Sequence, residues 1–240
     1  MIFFKSIRKV RAISFDLDDT LYDNQPVITS AEKRFSLYLK NHFALPDVVA
    51  DPVFWRTYSD DCIRRYPQLD NDVTRLREVM LVRALKDLGH PIDEGMAKQL
   101  TAYFIKIRSQ IVVPKSSFEL LSELHARYPM ACLSNGNSDI NQDGLAGYFD
   151  YDLRPSVDGC RCKPNQDLFV HFARLAGVKP CEVLHVGDDP FTDVYGAVAA
   201  GCQCAWLERG IAGKTSGTDC LRILPEVQLS SLEELRQLLF

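Results

Sequence analysis

The segment Asp16-Leu17-Asp18-Asp19-Thr20 places three carboxylates within four residues. Carboxylates that close repel one another unless a proton or a cation intervenes. A hard divalent ion such as magnesium suits them, because it takes carboxylate and backbone oxygens and leaves positions open for phosphate. The plainer alternative is an acidic, solvated turn. Asp188-Asp189 and Asp193 form a second acidic group, which strengthens the metal reading. Lys163, beside Pro164, offers a positive charge to a phosphate, although a lone lysine is more often a surface residue. Ser134-Asn135-Gly136 makes a third polar cluster.

Each cluster follows a short apolar run. Val10 to Phe15 is β-rich and stops at Asp16, Met130 to Leu133 stops at Ser134, and Glu182 to Val186 stops at Gly187-Asp188-Asp189. If these runs are parallel neighbours, Asp16, Ser134 and Asp188 share the carboxyl edge of one sheet, where open α/β sheets bind ligands. Strand ends are common turn sites, so one such cluster would mean little, but here there are three.

Helical patterns surround the runs. Thr29 with Glu32 reads as a capping box ahead of Phe35, Tyr38, Leu39 and Phe43. Leu76, Met80, Ala84 and Leu88 recur every fourth residue, and Gly89 sits where a left-handed C-cap belongs. Met96, Leu100, Phe104 and Ile107 mark another helix. Ser116 with Glu119, and Ser230 with Glu233, read as further capping boxes. Helices are also expected near 165–176 and 192–200, with a strand over Gln203 to Leu207. The alternation predicts an α/β fold, a Rossmann-like parallel sheet covered on both faces. Residues 1–23 and 113–240 are expected to form this core, interrupted by an all-helical insertion over 24–112.

Composition narrows the classes of function. A formal net charge of −4 argues against nucleic-acid binding, and Lys5, Arg8, Lys9 and Arg11 read as a solvated lead-in to the first strand. Only Ile2, Phe3 and Phe4 precede the first charge, too few for a secretory segment, and no apolar run is long enough to span a membrane. A cytosolic chain with no nucleic-acid or membrane partner is expected. The eight cysteines include the pairs Cys160/Cys162 and Cys202/Cys204, but neither pair has the spacing of a structural zinc site. Reduced, mostly buried thiols are expected, Cys62, Cys132, Cys181 and Cys220 among them.

Taken together, Phe15-Asp16-Leu17-Asp18-Asp19-Thr20-Leu21, Ser134-Asn135-Gly136, Lys163-Pro164 and Gly187-Asp188-Asp189-Pro190-Phe191-Thr192-Asp193 resemble the four motifs of the haloacid dehalogenase (HAD) superfamily of phosphatases, in order. The insertion falls where that family carries its C1 cap. The resemblance implies that Asp16 attacks phosphorus to form an aspartyl phosphate, with Asp18 as general acid and then general base. It also implies that Mg2+ binds the Asp16 carboxylate, the Asp18 backbone carbonyl and Asp188. Ser134, Asn135 and Lys163 would hold phosphoryl oxygens, Asp193 would orient neighbours, and Thr20 would shape the loop. Within the superfamily, the stretches around Asp16, Asp72-Val73-Thr74-Arg75, Ser134-Asn135-Gly136-Asn137 and His185-Val186-Gly187-Asp188-Asp189 are similar to bacterial phosphatases of riboflavin biosynthesis. Those enzymes are associated with 5-amino-6-(5-phospho-D-ribitylamino)uracil and flavin mononucleotide (FMN), so a small-molecule phosphate ester is the expected partner.

Specificity is expected from the cap. Arg75, Arg77 and Asp72 are candidates there, with Tyr22 and Phe191 as possible walls, although Asp72 equally suits an N-cap and the arginines a solvated face. Trp55 and Trp206 read as packing residues. A phosphomutase, or a broad-specificity sugar or nucleotide phosphatase, would use the same aspartates, whereas Asp18 argues against a dehalogenase. A phosphoaspartate-receiving regulatory domain is the non-enzyme rival, but it leaves the insertion of roughly 90 residues without a purpose.

Overall fold

The computed structural model describes residues 1–156, 159–213 and 221–240, so Cys220 lies outside the described residues. The chain divides into two compact units. One comprises Met1–Asn24, Val112–Gly136 and Ile140–Phe240, and the other Gln25–Ile111 with Asn137–Asp139.

The first unit is built on a seven-stranded sheet among the described residues: β1 (Ile2–Phe3), β2 (Ala12–Phe15), β3 (Met130–Leu133), β4 (Tyr151–Leu153), β5 (Val183–Gly187), β6 (Gln203–Leu207) and β7 (Val227–Leu229). The strand order is β1-β7-β6-β5-β2-β3-β4, and every pairing is parallel except β1 with β7. Every residue of β2, β3, β5 and β6 is buried, as a parallel sheet covered on both faces requires. This is the expected Rossmann-like α/β core, and the three apolar runs are indeed adjacent, with β2 between β5 and β3. The sequence did not reveal β1, β4 or β7, which are two or three residues long, too short for a period to be read.

Helices α5 (Lys115–His125), α6 (Asp167–Leu175), α7 (Gly196–Ala199) and α8 (Glu234–Leu239) accompany the sheet. The predicted boxes at Ser116 and Ser230 are corrected. The residue before α5 is Pro114, with no side-chain cap, and the Ser117 hydroxyl instead donates to the Leu21 carbonyl (2.9 Å). Before α8, the Glu234 carboxylate accepts from the Ser230 N–H (2.8 Å), one position later than the box predicts. The segment expected as a helix over 192–200 begins earlier, as a π-helical turn over Pro190–Tyr195, and passes into α7.

The second unit is helical: α1 (Gln25–His42), α2 (Pro52–Arg65), α3 (Val73–Asp87) and α4 (Glu94–Arg108). Its core gathers Ala31, Phe35, Leu39, Met80, Leu81, Ala84, Leu100 and Phe104. Helix α1 starts four residues before the Thr29 box, because Pro26 fits the first turn, where its missing N–H is not needed. Met96, one of the four residues that mark α4 in the sequence, is 36% exposed. Helix α3 ends as predicted: Gly89 has φ +83°, its N–H bonds the Lys86 carbonyl, and the His90 N–H bonds that of Leu85. No helix among the described residues is long and apolar enough to cross a membrane.

Candidate active site

Register brings the strand ends level. Phe15 is paired with Cys132 on one side and with Val186 on the other, so Asp16, Ser134 and Asp188 leave neighbouring strands within one step of each other. The Asp16 N–H is still bonded to the Val186 carbonyl (2.9 Å), which fixes the backbone at the end of β2. All three residues are buried.

The loop after Asp16 folds tightly on itself. Leu21 and Thr20 bond back to the Leu17 carbonyl, and Asp19 takes φ +61°, a left-handed conformation uncommon outside glycine. The Asp19 carboxylate accepts from the Asn24 N–H (2.9 Å) and its carbonyl from the Ile211 N–H (2.7 Å). Of the three clustered carboxylates, Asp19 therefore secures the loop. Asp18 accepts from the Tyr22 hydroxyl (2.7 Å), and Thr20 donates to Asp188 (3.0 Å). Tyr22, proposed as a pocket wall, is wholly buried and serves Asp18 instead.

Lys163 lies at the centre. Its ammonium donates to Asp16 Oδ1 and to Asp193 Oδ1, each at 2.6 Å, with almost no exposure. Burial opposes its charge, but the two carboxylates outweigh burial and hold the lysine pKa above the usual range. Burial alone would raise the Asp193 carboxyl, yet Lys163 and a hydrogen bond from His185 hold it well below the usual range. Asp16 goes the other way. Burial, joined by the charges of Asp193, Asp188 and Asp18, lifts its carboxyl well above the usual range against the pull of Lys163.

His185 was not singled out as a site residue, because it reads as one more position in an apolar strand. It lies wholly buried beneath the site, with Nε2 3.2 Å from Asp193 and Nδ1 2.9 Å from the Ser14 hydroxyl. Burial pushes its pKa down, so the ring is neutral near pH 7. Trp206 packs as expected and also donates its indole N–H to the Asp188 carbonyl (2.9 Å).

Oxygens of Asp16, Asp188 and Asp193 lie within 4.8 Å of one another. Asp193 is already engaged by Lys163, His185 and the Asp189 N–H. Asp189, read as part of the acidic group, caps the following turn by accepting from Phe191 and Thr192. Asp188, together with Asp16, whose Oδ1 also accepts from Lys163, would hold a cation. The fit is good: buried, all-oxygen donors whose negative charge exceeds that of one ammonium suit a hard divalent ion.

Ser134 Oγ accepts from the Gly136 N–H (3.0 Å). The Asn135 side chain clasps the Lys163 backbone at both ends, donating to its carbonyl and accepting from its N–H, each at 2.8 Å. It thus ties the β3 loop to the lysine. Phe191 stacks on Tyr195, with Arg222 4.5 Å from its ring centre. In the helical unit, Asp72 caps α3, Arg75 pairs with Glu78 and Glu94, and Arg77 lies half-buried with its guanidinium 3.4 Å from the centre of the Phe104 ring. Cys62, Cys132, Cys181, Cys202 and Cys204 carry unbridged thiols, and burial pushes Cys132, Cys202 and Cys204 upward, Cys202 to about 12.

This sheet, with acidic strand ends around a buried lysine, defines a class that comparison with known proteins identifies. The family model "haloacid dehalogenase-like hydrolase" matches residues 10–201, and the chain belongs to that family. Among its relatives, the 5-amino-6-(5-phospho-D-ribitylamino)uracil phosphatase YigB of Escherichia coli (strain K12) is 34% identical over the full length of both chains. The N-acylneuraminate-9-phosphatase of Rattus norvegicus is 26% identical, covering 97% of this chain and 95% of its own. Among solved structures, a 2-haloacid dehalogenase from Pseudomonas syringae pv. Tomato DC3000 superposes with a TM-score of 0.81 at 28% identity, covering 96% of this chain and 98% of that one.

Proposed function

We propose that the protein is a magnesium-dependent phosphatase that hydrolyses a small phosphomonoester through an aspartyl phosphate on Asp16. The observation that carries the reading is the buried meeting of Asp16 with Lys163 at 2.6 Å, beside Asp188 and on the loop that presents Asp18. The Asp16 carboxylate attacks phosphorus as the ester P–O bond breaks, and Asp18 gives its proton to the departing alkoxide. Asp18, now a carboxylate, takes a proton from water. That water attacks phosphorus, and inorganic phosphate leaves while Asp16 is regenerated. Lys163 and the Ser134 hydroxyl hold phosphoryl oxygens, with Asn135 fixing the lysine backbone and Asp193 and His185 fixing its ammonium. A magnesium ion on Asp16, Asp188 and the Asp18 carbonyl would offset the charge of the transferring group.

The helical insertion takes the role of the family's C1 cap in this proposal. The substrate assigned is 5-amino-6-(5-phospho-D-ribitylamino)uracil, on the strength of 34% identity to a phosphatase of that name over both full lengths; FMN is the second ester, from the motif resemblance alone. A phosphate-release screen over FMN, the ribityl-uracil phosphate, sugar phosphates and nucleotides, with magnesium or with a chelator, tests the reading. Metal-dependent release of many equivalents from at least one ester is expected. Halide release from 2-haloacids with no phosphate release would contradict it.

A further inference from the structure

A second charged cluster adjoins the Ser134-Asn135-Gly136 turn. Cys132, two residues before Ser134, is paired in register with Asp152 of β4, and its thiol donates to the Asp152 carboxylate (3.0 Å). The same carboxylate oxygen accepts from Nε of Arg154, which follows the strand. So oriented, Arg154 donates through Nη1 to the Gly136 carbonyl at 2.9 Å. Its Nη2 is buried with no hydrogen-bond partner among the described residues.

Burying a guanidinium to this extent, with 16% of its side chain exposed, is costly when packing alone is needed, since an apolar residue of similar volume does that better. What Arg154 adds is a fixed fork joining the end of β4 to the turn after β3. Gly136 is then held on both of its peptide groups, the one that follows it by Arg154 at its carbonyl and the one that precedes it by Ser134 Oγ at its N–H. A shift of Gly136 would therefore be passed to the serine hydroxyl. We propose that Arg154 is a positioning residue for the phosphoryl-binding turn, acting through the Gly136 carbonyl to pre-set the Ser134 hydroxyl for a phosphoryl oxygen. This inference rests on the phosphatase reading. Charge persists on the arginine: burial works against it, and the Asp152 carboxylate bonded to its Nε favours it.

The test compares Arg154→Ala and Arg154→Lys with the wild type in magnesium. It reads kcat and KM for p-nitrophenyl phosphate, the Kd of inorganic phosphate by calorimetry, and the melting temperature. Arg154→Ala is expected to raise KM and the phosphate Kd by on the order of tenfold, with a smaller change in kcat. Millimolar guanidinium should restore part of the lost affinity in that variant and none in the wild type. Arg154→Lys should fall between the two, and it carries the comparison if the alanine variant does not fold. Wild-type KM and phosphate Kd in the variants would overturn the inference, as would a loss confined to kcat. A wild-type protein that releases no phosphate from any ester defeats the proposed function instead. Phosphate binding then decides for Arg154 by itself: weaker binding in the variants sustains the positioning role, and equal or absent binding in all three proteins overturns it.

Discussion

At the scale of single residues, the site depends on groups that hold other groups. Gly187 shows how tightly. A Cβ built there would lie 2.4 Å from the Asp193 side chain, so Gly187→Ala must displace the carboxylate that anchors Lys163. A loss of about 1–3 kcal/mol in urea unfolding is expected, together with a drop in turnover of at least tenfold. Thr20→Val tests a subtler link. It removes the 3.0 Å hydrogen bond to Asp188 while keeping the side chain's shape, so magnesium affinity, read by titration calorimetry, should fall roughly 10- to 100-fold. Unchanged affinity would separate Asp188 from the metal. Lys163→Met should cost about 3–5 kcal/mol, because Asp16 and Asp193 would remain buried without their cation. Adding Asp193→Asn should recover part of that loss in the same unfolding measurement.

At the scale of elements, the strand ends were legible because a fully buried parallel strand is an unbroken apolar run, and the run stops where chemistry begins. The same logic hid His185, which is apolar in placement though not in type. Helix starts were read less well. The boxes at Thr29 and Ser116 have the right residue types, but Pro26 and Pro114 set the actual beginnings. Helix α2 went unseen, because Asp51-Pro52 opens a segment whose buried residues are only Trp55 and Cys62. Where local chemistry alone decides, the reading held, as at Gly89. A Cβ there meets nothing within 4 Å, so Gly89→Ala pays for backbone strain alone, and about 1 kcal/mol in thermal or denaturant unfolding is expected. A neutral result would remove the left-handed cap from the account of α3.

At the scale of the whole molecule, ionisation of the site links to folding. The Asp16 pKa is raised in the folded chain, so its contribution to stability is fully present below the usual aspartate range and is lost as pH rises through the raised value. Asp193 is depressed, so its contribution is present above the usual aspartate range and disappears only in stronger acid. A divalent ion on Asp16 removes the penalty at the higher pH. Magnesium should therefore raise the melting temperature more at about pH 8 than at about pH 5. An equal rise at both values would contradict that linkage. The α/β core was legible in the sequence as three strand ends with their clusters. The pairing of Asn135 with the Lys163 backbone, and of Arg154 with Gly136, was not, because each joins residues 18 to 28 positions apart through backbone atoms.

The central claim is that the Asp16 carboxylate attacks phosphorus. Phosphate released per protein molecule from p-nitrophenyl phosphate in magnesium measures it most directly, for the wild type and for Asp16→Asn with matched circular dichroism. Many equivalents from the wild type and fewer than one from the variant are predicted. Sustained turnover by Asp16→Asn would contradict the account.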